Sequence, residues 1–281
     1  MSRFPAPAAN QTLAAARVSL TWPKTQFDYR IFTPGDGEPA APYPAEPLVS
    51  CLMVTRGETA LIRYALLCYR AQTWVRRELV VVTDLDRAAA VGEIARELQL
   101  PEVRVFGAPK RLRLGDLRNL AVARARGDII MQWDDDDLSD PMRIAVSVKV
   151  LAHTDAAAAF LSRWIIWWPG RRVAAVSSLR AWEGSIAVWK DQARLFPALA
   201  LGEDSPPSEA LRRHHPIVLI DDPTLYVYAI TGRNTFGETH FDALLEACEW
   251  VFRDEEFQVL TDRLAMRLPI RDYQSFLTDG S

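Results

Sequence analysis

The sequence predicts an α/β fold in which a mostly parallel sheet is flanked by helices and followed by a C-terminal helical segment. Between residues 48 and 133, short apolar runs alternate with segments whose apolar residues recur at helical spacing. The resulting β-α-β-α-β-α-β order is typical of parallel sheets with helices on both faces. Polar and acidic residues follow several of the apolar runs, at the strand ends where such sheets bind ligands.

Four strands are predicted in this first half. Residues 48–54 form a nearly continuous apolar run, which is typical of a strand buried on both faces. Shorter runs predict three further strands, at 78–83, 103–106 and 129–133. Helices are predicted between the strands, at 61–69, 86–98 and 114–125. Gly127 is expected to end the last of these helices.

The second half predicts a further mixture of elements. A helix is expected from Pro141 to about residue 153. Strands are then predicted at 160–168, 173–178, 185–189, 217–220 and 225–228. The last 44 residues show apolar residues at helical spacing. We therefore expect a sheet domain over residues 48–236 and C-terminal helices, 237–281, that pack on it.

The N-terminal residues 1–47 differ in composition from the remainder. They contain 8 of the 18 prolines, with Pro39, Pro42, Pro44 and Pro47 close together. Such a proline-rich stretch is typical of an extended arm or linker. Regular structure is therefore predicted to begin at Leu48.

Composition and charge exclude several classes of protein. A hydrophobic fraction of 49% and a charged fraction of 25% are typical of a folded domain. The net charge of −3 argues against nucleic acid as a partner. Three widely spaced cysteines and the lack of a secretion signal predict buried thiols and a cytoplasmic location. No apolar stretch reaches the ~18 residues of a membrane span.

Four consecutive aspartates, Asp134 to Asp137, follow the fourth predicted strand. Adjacent carboxylates repel one another, so they must be solvated, protonated or neutralised by a cation. Oxygen ligands alone suit Mg²⁺ or Mn²⁺. The cluster therefore predicts a metal site that holds phosphate groups.

Other phosphate-binding and hydrolase motifs are absent from the sequence. It contains no P-loop, no Gly-x-Gly-x-x-Gly after the first strand, no Gly-x-Ser-x-Gly and no His-Glu-x-x-His. An Asp-x-Asp motif also begins phosphatase sites of the haloacid-dehalogenase type. Here Leu138-Ser139 follows the acids in place of Gly-Thr, and the motif lies in the middle of the chain. A nucleotidyltransferase or phosphatase that uses the same acids is an alternative interpretation.

An ordered set of motifs resembles family 2 glycosyltransferases. The set covers about residues 47–240, and its order and spacing are more specific than any single piece. Its members are the first strand at 47–55, Gly115-Asp116-Leu117-Arg118-Asn119, Ala125-Arg126-Gly127-Asp128, Trp133 with Asp134–Asp137, Pro141, Gly202-Glu203-Asp204, Tyr226-Val227-Tyr228 and Gly232-Arg233-Asn234-Thr235. The resemblance implies the GT-A fold, which has a Rossmann-like sheet.

The resemblance also implies a role for each matching residue. Asp136 would bind Mn²⁺ or Mg²⁺, Asp134 would face the ribose, and Asp135 would be the variable middle residue. Asp204, with Glu203 beside it, would be the general base that deprotonates the acceptor hydroxyl. The remaining residues would border the nucleotide, with Asp84 accepting a hydrogen bond from the base: Thr55, Arg56, Asp84, Arg118 and Asn119.

The sequence departs from the family pattern at three points. The first strand ends in Thr55-Arg56, where Tyr-Asn or His-Asn is usual. The loop after the second strand reads Thr83-Asp84-Leu85-Asp86 in place of Asp-Asp/Asn-Gly-Ser. Thr231 replaces a histidine that can reach the metal, and His240 is a substitute ligand. These departures bear on the specificity for base and donor.

Tryptophans are concentrated between the acid cluster and Glu203. Trp182 lies where the family builds its acceptor site, so we include it among the ligand-binding residues. Packing within a β-layer is the alternative, and it is favoured for Trp164 and Trp189. The segment 167–172 contains Trp167, Trp168 and two arginines, and an exposed segment of this kind would contact a membrane surface peripherally or a partner chain.

The resemblance therefore implies a metal-dependent, inverting glycosyltransferase that uses a nucleotide-sugar donor, with UDP as the expected nucleotide. The acceptor would be a hydroxyl group of a saccharide, a lipid-linked molecule or a protein. A catalytically degenerate GT-A module that only binds a partner is the non-enzymatic alternative.

Overall fold

The computed structural model describes residues 14–22, 25–33, 44, 46–154, 156–248 and 250–279. Its helices are α1 Thr59–Arg70, α2 Ala88–Glu97, α3 Leu114–Arg124, α4 Arg143–Ala152, α5 Ser205–His214, α6 Glu238–Glu246, α7 Asp254–Leu264 and α8 Ile270–Asp279. Its strands are β1 Ala14–Trp22, β2 Thr25–Thr33, β3 Val49–Thr55, β4 Arg77–Asp84, β5 Val103–Ala108, β6 Ile129–Gln132, β7 Leu138–Ser139, β8 Ala158–Leu161, β9 Ile165–Trp168, β10 Val173–Val176, β11 Ala187–Trp189, β12 Ile217–Asp221, β13 Tyr226–Ala229 and β14 Trp250–Arg253.

The strands form two sheets. The larger sheet has the order β1-β2-β12-β8-β11-β6-β3-β4-β5, and the smaller has the order β14-β10-β9-β13-β7. Within the larger sheet, β6, β3, β4 and β5 run parallel, which confirms the parallel arrangement predicted for the first half. β11 pairs with β6 in the antiparallel direction and joins this parallel half to the rest of the sheet.

The parallel strands are apolar because both of their faces are covered. In β3, Cys51 and Met53 belong to the core on one face, and Leu52 belongs to the core on the other. On the first face lies α1, whose Leu61 is buried. On the second face lies α3, whose Leu117 is fully buried. Side chains that alternate between two cores explain why the strand lacks a polar face.

The segment predicted as one strand over residues 160–168 is divided between the two sheets. β8 lies in the larger sheet and β9 in the smaller one. Between them, the Ser162 hydroxyl donates a hydrogen bond to Asp221 (3.0 Å), and Arg163 forms an ion pair with the same carboxylate (3.2 Å). These polar contacts hold the bend, so the prediction of one continuous strand is wrong.

Trp167 and Trp168 are buried, so the prediction that they form an exposed membrane-binding or partner-binding segment is wrong. Trp167 is 0% exposed, and its indole N–H donates to the Thr261 hydroxyl (3.1 Å). Trp168 is 5% exposed and packs edge-on against Phe241. Both tryptophans pack beneath the C-terminal helices, which lower the solvent exposure of this region. No helix among the described residues is long and apolar enough to cross a membrane.

The two ends of the chain add strands that the sequence did not predict. Regular structure begins before Leu48, because β1 and β2 form an antiparallel pair and β2 pairs with β12. The proline-rich stretch 34–43 lies outside the described residues. The C-terminal segment contains β14 as well as helices, and β14 pairs with β10.

Candidate active site

The acid cluster lies where the sheet was predicted to bind ligands, at the carboxyl end of β6. Trp133 precedes the acids and is buried, and its indole N–H donates to the Ala65 carbonyl (3.2 Å). β3 runs parallel to β6 and ends at Thr55. The Thr55 hydroxyl donates a hydrogen bond to Asp135. Gly57 also lies close, because a Cβ atom there would approach the Asp135 carboxylate to 2.7 Å.

Asp134 and Asp137 are held by one tyrosine, which the sequence analysis included in a family motif without assigning it a role. The Tyr226 hydroxyl lies 3.0 Å from Asp134 and 2.5 Å from Asp137. Asp137 is 4% exposed and also accepts a hydrogen bond from the Ala229 backbone N–H (2.8 Å). Asp134 accepts a further hydrogen bond from the Gln132 amide (3.1 Å). Asp137 is thus fixed to β13 and supports the loop.

Asp136 is positioned by two residues from the C-terminal part of the chain. The Asn234 amide donates to the Asp136 carboxylate (3.1 Å) and to the Ala229 carbonyl (2.9 Å). The Tyr273 hydroxyl donates to the Asp136 backbone carbonyl (2.6 Å). The loop after β13 and helix α8 therefore meet at the acid cluster.

Burial and crowding favour the protonated forms of these acids. Burial raises the pKa of Asp136 well above its ordinary value, and the charges of the neighbouring aspartates raise it further. Burial also raises the pKa of Asp135 to about 6, against the opposing effect of the Thr55 hydrogen bond. A divalent cation would relieve the mutual repulsion of the carboxylates. The donor chemistry of this cluster therefore fits a hard cation.

The geometry indicates which kind of cation site is compatible with these residues. Among the residues that the structure describes, no three His, Cys, Asp or Glu side chains converge as a complete cage for a metal. Mg²⁺ in nucleotide sites is commonly held by one or two carboxylates together with phosphate oxygens of the substrate. Asp136 and its neighbours fit that incomplete arrangement.

A cavity of about 570 Å³ opens beside the acid cluster. A cavity of this size can hold a nucleotide-sized ligand. Its charged lining residues are balanced in number, with four acids and four arginines. They are Glu58, Asp134, Asp135, Asp136, Arg56, Arg87, Arg118 and Arg233.

At one end of the cavity, Arg56 is tied to the strand-end acid Asp84. The Arg56 Nε donates to Asp84 (3.0 Å), and its terminal nitrogen donates to the carbonyls of Lys110 (3.1 Å) and Leu112 (2.9 Å). Asp84 is 6% exposed. Arg56, which departs from the usual family pattern, is therefore the ion-pair partner of Asp84.

Arg118 connects the acid cluster to the second predicted acidic motif. Its Nε donates to Glu203 (2.5 Å), and its guanidinium forms a longer ion pair with Asp134 (3.7 Å). Glu203 is 2% exposed. A buried carboxylate is stable only with such a partner. Glu203 therefore fixes Arg118 at the boundary of the cavity.

Asp204 lies on the other side of Arg118, directly before α5. It lines a small separate cavity of about 30 Å³, together with Arg118, Gln132 and Phe196. Burial raises the pKa of Asp204 to about 6, while Arg118 lowers it. A carboxyl group with a pKa near neutrality is suited to accept a proton.

Asn119 holds the loop that leads to Asp204. Its side-chain amide donates to the Phe196 carbonyl (2.8 Å) and accepts from the Phe196 N–H (2.9 Å). The N–H of Gly115 donates to the Leu199 carbonyl (3.1 Å). A Cβ atom at Gly115 would lie 1.8 Å from the Pro197 carbonyl oxygen, so this approach requires glycine. The described contacts of Asn119 thus position the loop that follows β11.

Trp182 belongs to an aromatic stack. It is 5% exposed, and its ring lies 4.4 Å from that of Trp164. Trp164 stacks in turn on Tyr226 (5.1 Å) and Tyr228 (5.3 Å). The stack therefore leads from Trp182 to the hydroxyl that holds Asp134, and a ligand-binding role for Trp182 stays a prediction. Packing, which was favoured for Trp164, is what the structure shows for that residue.

His240 lies on α6, where it is exposed and stacks on Phe236 (4.2 Å between ring centroids). It also packs edge-on against Phe241. Its role as a metal ligand stays a prediction. In the described structure, the residue from this region that contacts the acid cluster is Asn234.

Arg143 is a further residue that sequence reasoning missed. It is 1% exposed, and its guanidinium lies 4.5 Å from the centre of the Tyr226 ring and 5.2 Å from that of Trp133. It donates to the Gln132 carbonyl and to the Ser139 hydroxyl (both 2.8 Å). Arg143 therefore braces the loop that carries the four aspartates. Its position in an apolar helix gave no signal of this role.

The mostly parallel sheet with an acid-rich cavity at its strand ends is the architecture of the GT-A fold. Residues 50–189 match the sequence model of the family described as Glycosyl transferase family 2. The chain belongs to this family, which confirms the resemblance, the fold class and the enzyme class predicted from the sequence.

Solved structures support the fold. Residues 1–349 of TarS from S. aureus superpose with a TM-score of 0.53 at 16% identity, covering 70% of this chain and 69% of that chain. A mannosyltransferase, PcManGT from Pyrobaculum calidifontis, was solved in complex with GDP-Man and Mn²⁺. It superposes with a TM-score of 0.53 at 21% identity, covering 73% of this chain and 62% of that chain.

A curated relative is the uncharacterised protein y4gI of Sinorhizobium fredii. It is 33% identical over 114 residues, which is 39% of this chain. The match spans 12% of the length of that relative.

Proposed function

We propose that the protein is a metal-dependent, inverting glycosyltransferase that moves a sugar from a UDP-linked donor to an acceptor hydroxyl. The observation that carries this proposal is the position of three aspartates on the wall of one nucleotide-sized cavity, with Asp204 behind Arg118. Such a site has carboxylates for a cation on one side and a carboxylate with a raised pKa on the other.

A divalent cation, Mn²⁺ or Mg²⁺, would be held by Asp136 with the neighbouring aspartates. When bound, it supplies Lewis-acid stabilisation of the negative charge on the departing diphosphate. The mannosyltransferase complex with GDP-Man and Mn²⁺ supports the choice of ion class. His240 remains a proposed additional ligand.

The protein residues would orient the donor and acceptor. Asp84 and Arg56 would contact the base, Thr55 and Asp134 the sugar-phosphate portion, and Arg118 would separate the donor cavity from Asp204. The acceptor oxygen would attack the anomeric carbon from the face opposite the leaving group. Its proton would move to the Asp204 carboxylate while the bond from the anomeric carbon to the phosphate oxygen breaks. The nucleoside diphosphate would leave with that electron pair, and the anomeric configuration would invert.

The proposal of UDP rests on family resemblance and on the TarS complexes with UDP and UDP-GlcNAc. Because the mannosyltransferase was solved with GDP-Man, GDP is the nucleotide whose binding should first be compared with that of UDP. The acceptor we propose is a hydroxyl of a saccharide, a lipid-linked molecule or a protein.

A thermal-shift panel tests the proposal directly. UDP, GDP, ADP and CDP are each added with and without Mn²⁺, and Mn²⁺ alone is the control. We expect UDP with Mn²⁺ to raise the melting temperature most, because a ligand that binds only the folded state stabilises it. Stabilisation by none of the diphosphates would contradict the proposal.

Product analysis separates this reaction from the alternative uses of the same acids. Release of a nucleoside diphosphate from a nucleotide-sugar indicates glycosyl transfer. Release of pyrophosphate or free phosphate would instead indicate a nucleotidyltransferase or a phosphatase. Binding of the diphosphate without any turnover across a panel of acceptors would favour a degenerate binding module.

A further inference from the structure

An ion pair joins two loops on the wall of the donor cavity. Arg233 follows Gly232, whose φ of 76° turns the loop after β13. Its guanidinium donates to the carboxylate of Glu58, which lies directly before α1. Both residues line the 570 Å³ cavity. The side chains are 35% and 55% exposed, so solvent screens their attraction.

Arg233 differs from Arg118 and Arg56, two other arginines of the cavity, in how it is held. Arg118 is 11% exposed and bound to Glu203, which has almost no contact with solvent. Arg56 is fixed by Asp84 and by two backbone carbonyls. Moving either of them would leave a buried carboxylate without its partner, which is costly. Glu58, by contrast, can return to water at little cost.

We propose that Arg233 is a further donor-binding residue, which exchanges the Glu58 carboxylate for the diphosphate of the nucleotide. This inference rests on the proposed function of the same cavity. A planar guanidinium binds phosphate oxygens through two parallel hydrogen bonds, which a carboxylate at a screened site cannot match in strength. Glu58 is then a competitor that occupies the guanidinium in the nucleotide-free protein.

This competition predicts that substitutions of Arg233 and Glu58 change the affinity for the diphosphate in opposite directions. Arg233→Ala removes a phosphate ligand and weakens diphosphate binding. Glu58→Gln removes the competitor and strengthens it. If the ion pair served only to join the two loops, loss of either partner would have the same effect on binding. The sign of the Glu58→Gln effect therefore distinguishes the two roles.

The experiment measures dissociation constants of UDP and GDP by calorimetry in the presence of Mg²⁺, with uridine and guanosine as the matching nucleosides. We expect Arg233→Ala to weaken diphosphate binding about tenfold, as for loss of one charge-assisted contact. Glu58→Gln should tighten it about twofold or more. Nucleoside binding should not change in either variant. Arg233→Lys should restore part of the affinity, because it keeps the charge and loses the fork geometry.

Arg63 and Glu97 provide a matched control pair. They form a long-range ion pair of similar exposure, 42% and 47%, and neither lines the cavity. Arg63→Ala and Glu97→Gln should leave every dissociation constant unchanged.

Each result of this experiment supports or overturns the inference. Unchanged diphosphate binding in Arg233→Ala, or weakened binding in Glu58→Gln, would overturn it while the proposed function stands. Failure of the unmodified protein to bind any diphosphate would overturn the proposed function and this inference with it. Equal loss of nucleoside and diphosphate affinity in Arg233→Ala would show damage to the whole cavity and would also overturn it.

Discussion

The two acidic motifs of the site share a pattern in which one acid is tied and its neighbour is available. At the end of β6, Asp137 is bound by Tyr226 and by the Ala229 backbone, and the preceding aspartates line the cavity. Before α5, Glu203 is bound by Arg118 while Asp204 lines a cavity of its own. In each motif, the acid that does not line the described cavity holds the structure, and the acids that line the cavity are those proposed for chemistry.

The largest expected effect is on Asp204, the available acid of the second motif. Asp204→Asn should lower kcat by about 10²–10⁴-fold, the usual contribution of a general base. Donor affinity and thermal stability should be retained, because none of the described hydrogen bonds involves the Asp204 carboxylate. Steady-state kinetics and calorimetry measure the two quantities. The control is Glu209→Gln, an exposed position on α5. Full activity in Asp204→Asn would remove Asp204 as the base.

Asp137, the tied acid of the first motif, should affect stability instead. Asp137→Ala leaves the Ala229 N–H without its described partner in the interior, while the Tyr226 hydroxyl keeps its contact with Asp134. We expect the free energy of unfolding to fall by about 1–3 kcal/mol, measured by urea denaturation. Tyr226→Phe removes one hydrogen bond without leaving Asp137 unpaired at Ala229, so its loss should be nearer ~1 kcal/mol. Equal stability of Asp137→Ala and the unmodified protein would break the contrast between tied and available acids.

The smallest effect expected is a pH dependence that identifies the available acid. Burial raises the pKa of Asp204 to about 6, and the base must be ionised to accept a proton. The value of kcat/KM should therefore be level above this pH and fall about tenfold per pH unit below it. The residual activity of Asp204→Asn should lack this fall of kcat/KM at low pH. If the same fall persists in that variant, the titrating group is another residue.

The same pKa shift acts on stability with the opposite sign. Because the folded-state pKa of Asp204 lies above its ordinary value, ionisation of this carboxyl costs the folded state. That cost is present above about pH 6 and is removed as the pH falls below it. The proposed base is thus ionised at neutral pH at a cost in stability.

The sequence was sufficient for the parallel half of the fold because its signals are local. β3 and β4 are apolar on both faces, and α1 carries its apolar residues at helical spacing. The break between β8 and β9 was missed because an apolar run gives no register. Its cause is the contact of Ser162 and Arg163 with Asp221, which is about sixty residues away in the chain.

The acid motifs were found in the sequence, but the residues that divide their roles were not. Tyr226 is 92 residues from Asp134, and Tyr273 is 137 residues from Asp136. No spacing rule links such distant positions. Asn234 was noticed as part of a closing motif, and only the fold shows that its amide contacts Asp136. Contacts of this kind depend on how the smaller sheet packs against the larger one.

The loop between β11 and α5 is attached to α3 through its main chain. Its carbonyl and N–H groups meet Asn119, Gly115 and Arg113, while the side chains of Leu195 (78% exposed) and Leu199 (41% exposed) point to solvent. Anchoring by backbone atoms is indifferent to side-chain identity. Substitutions at exposed positions such as Leu195 and Leu199 can therefore accumulate while Asp204 keeps its place, which makes these positions suitable for randomised libraries.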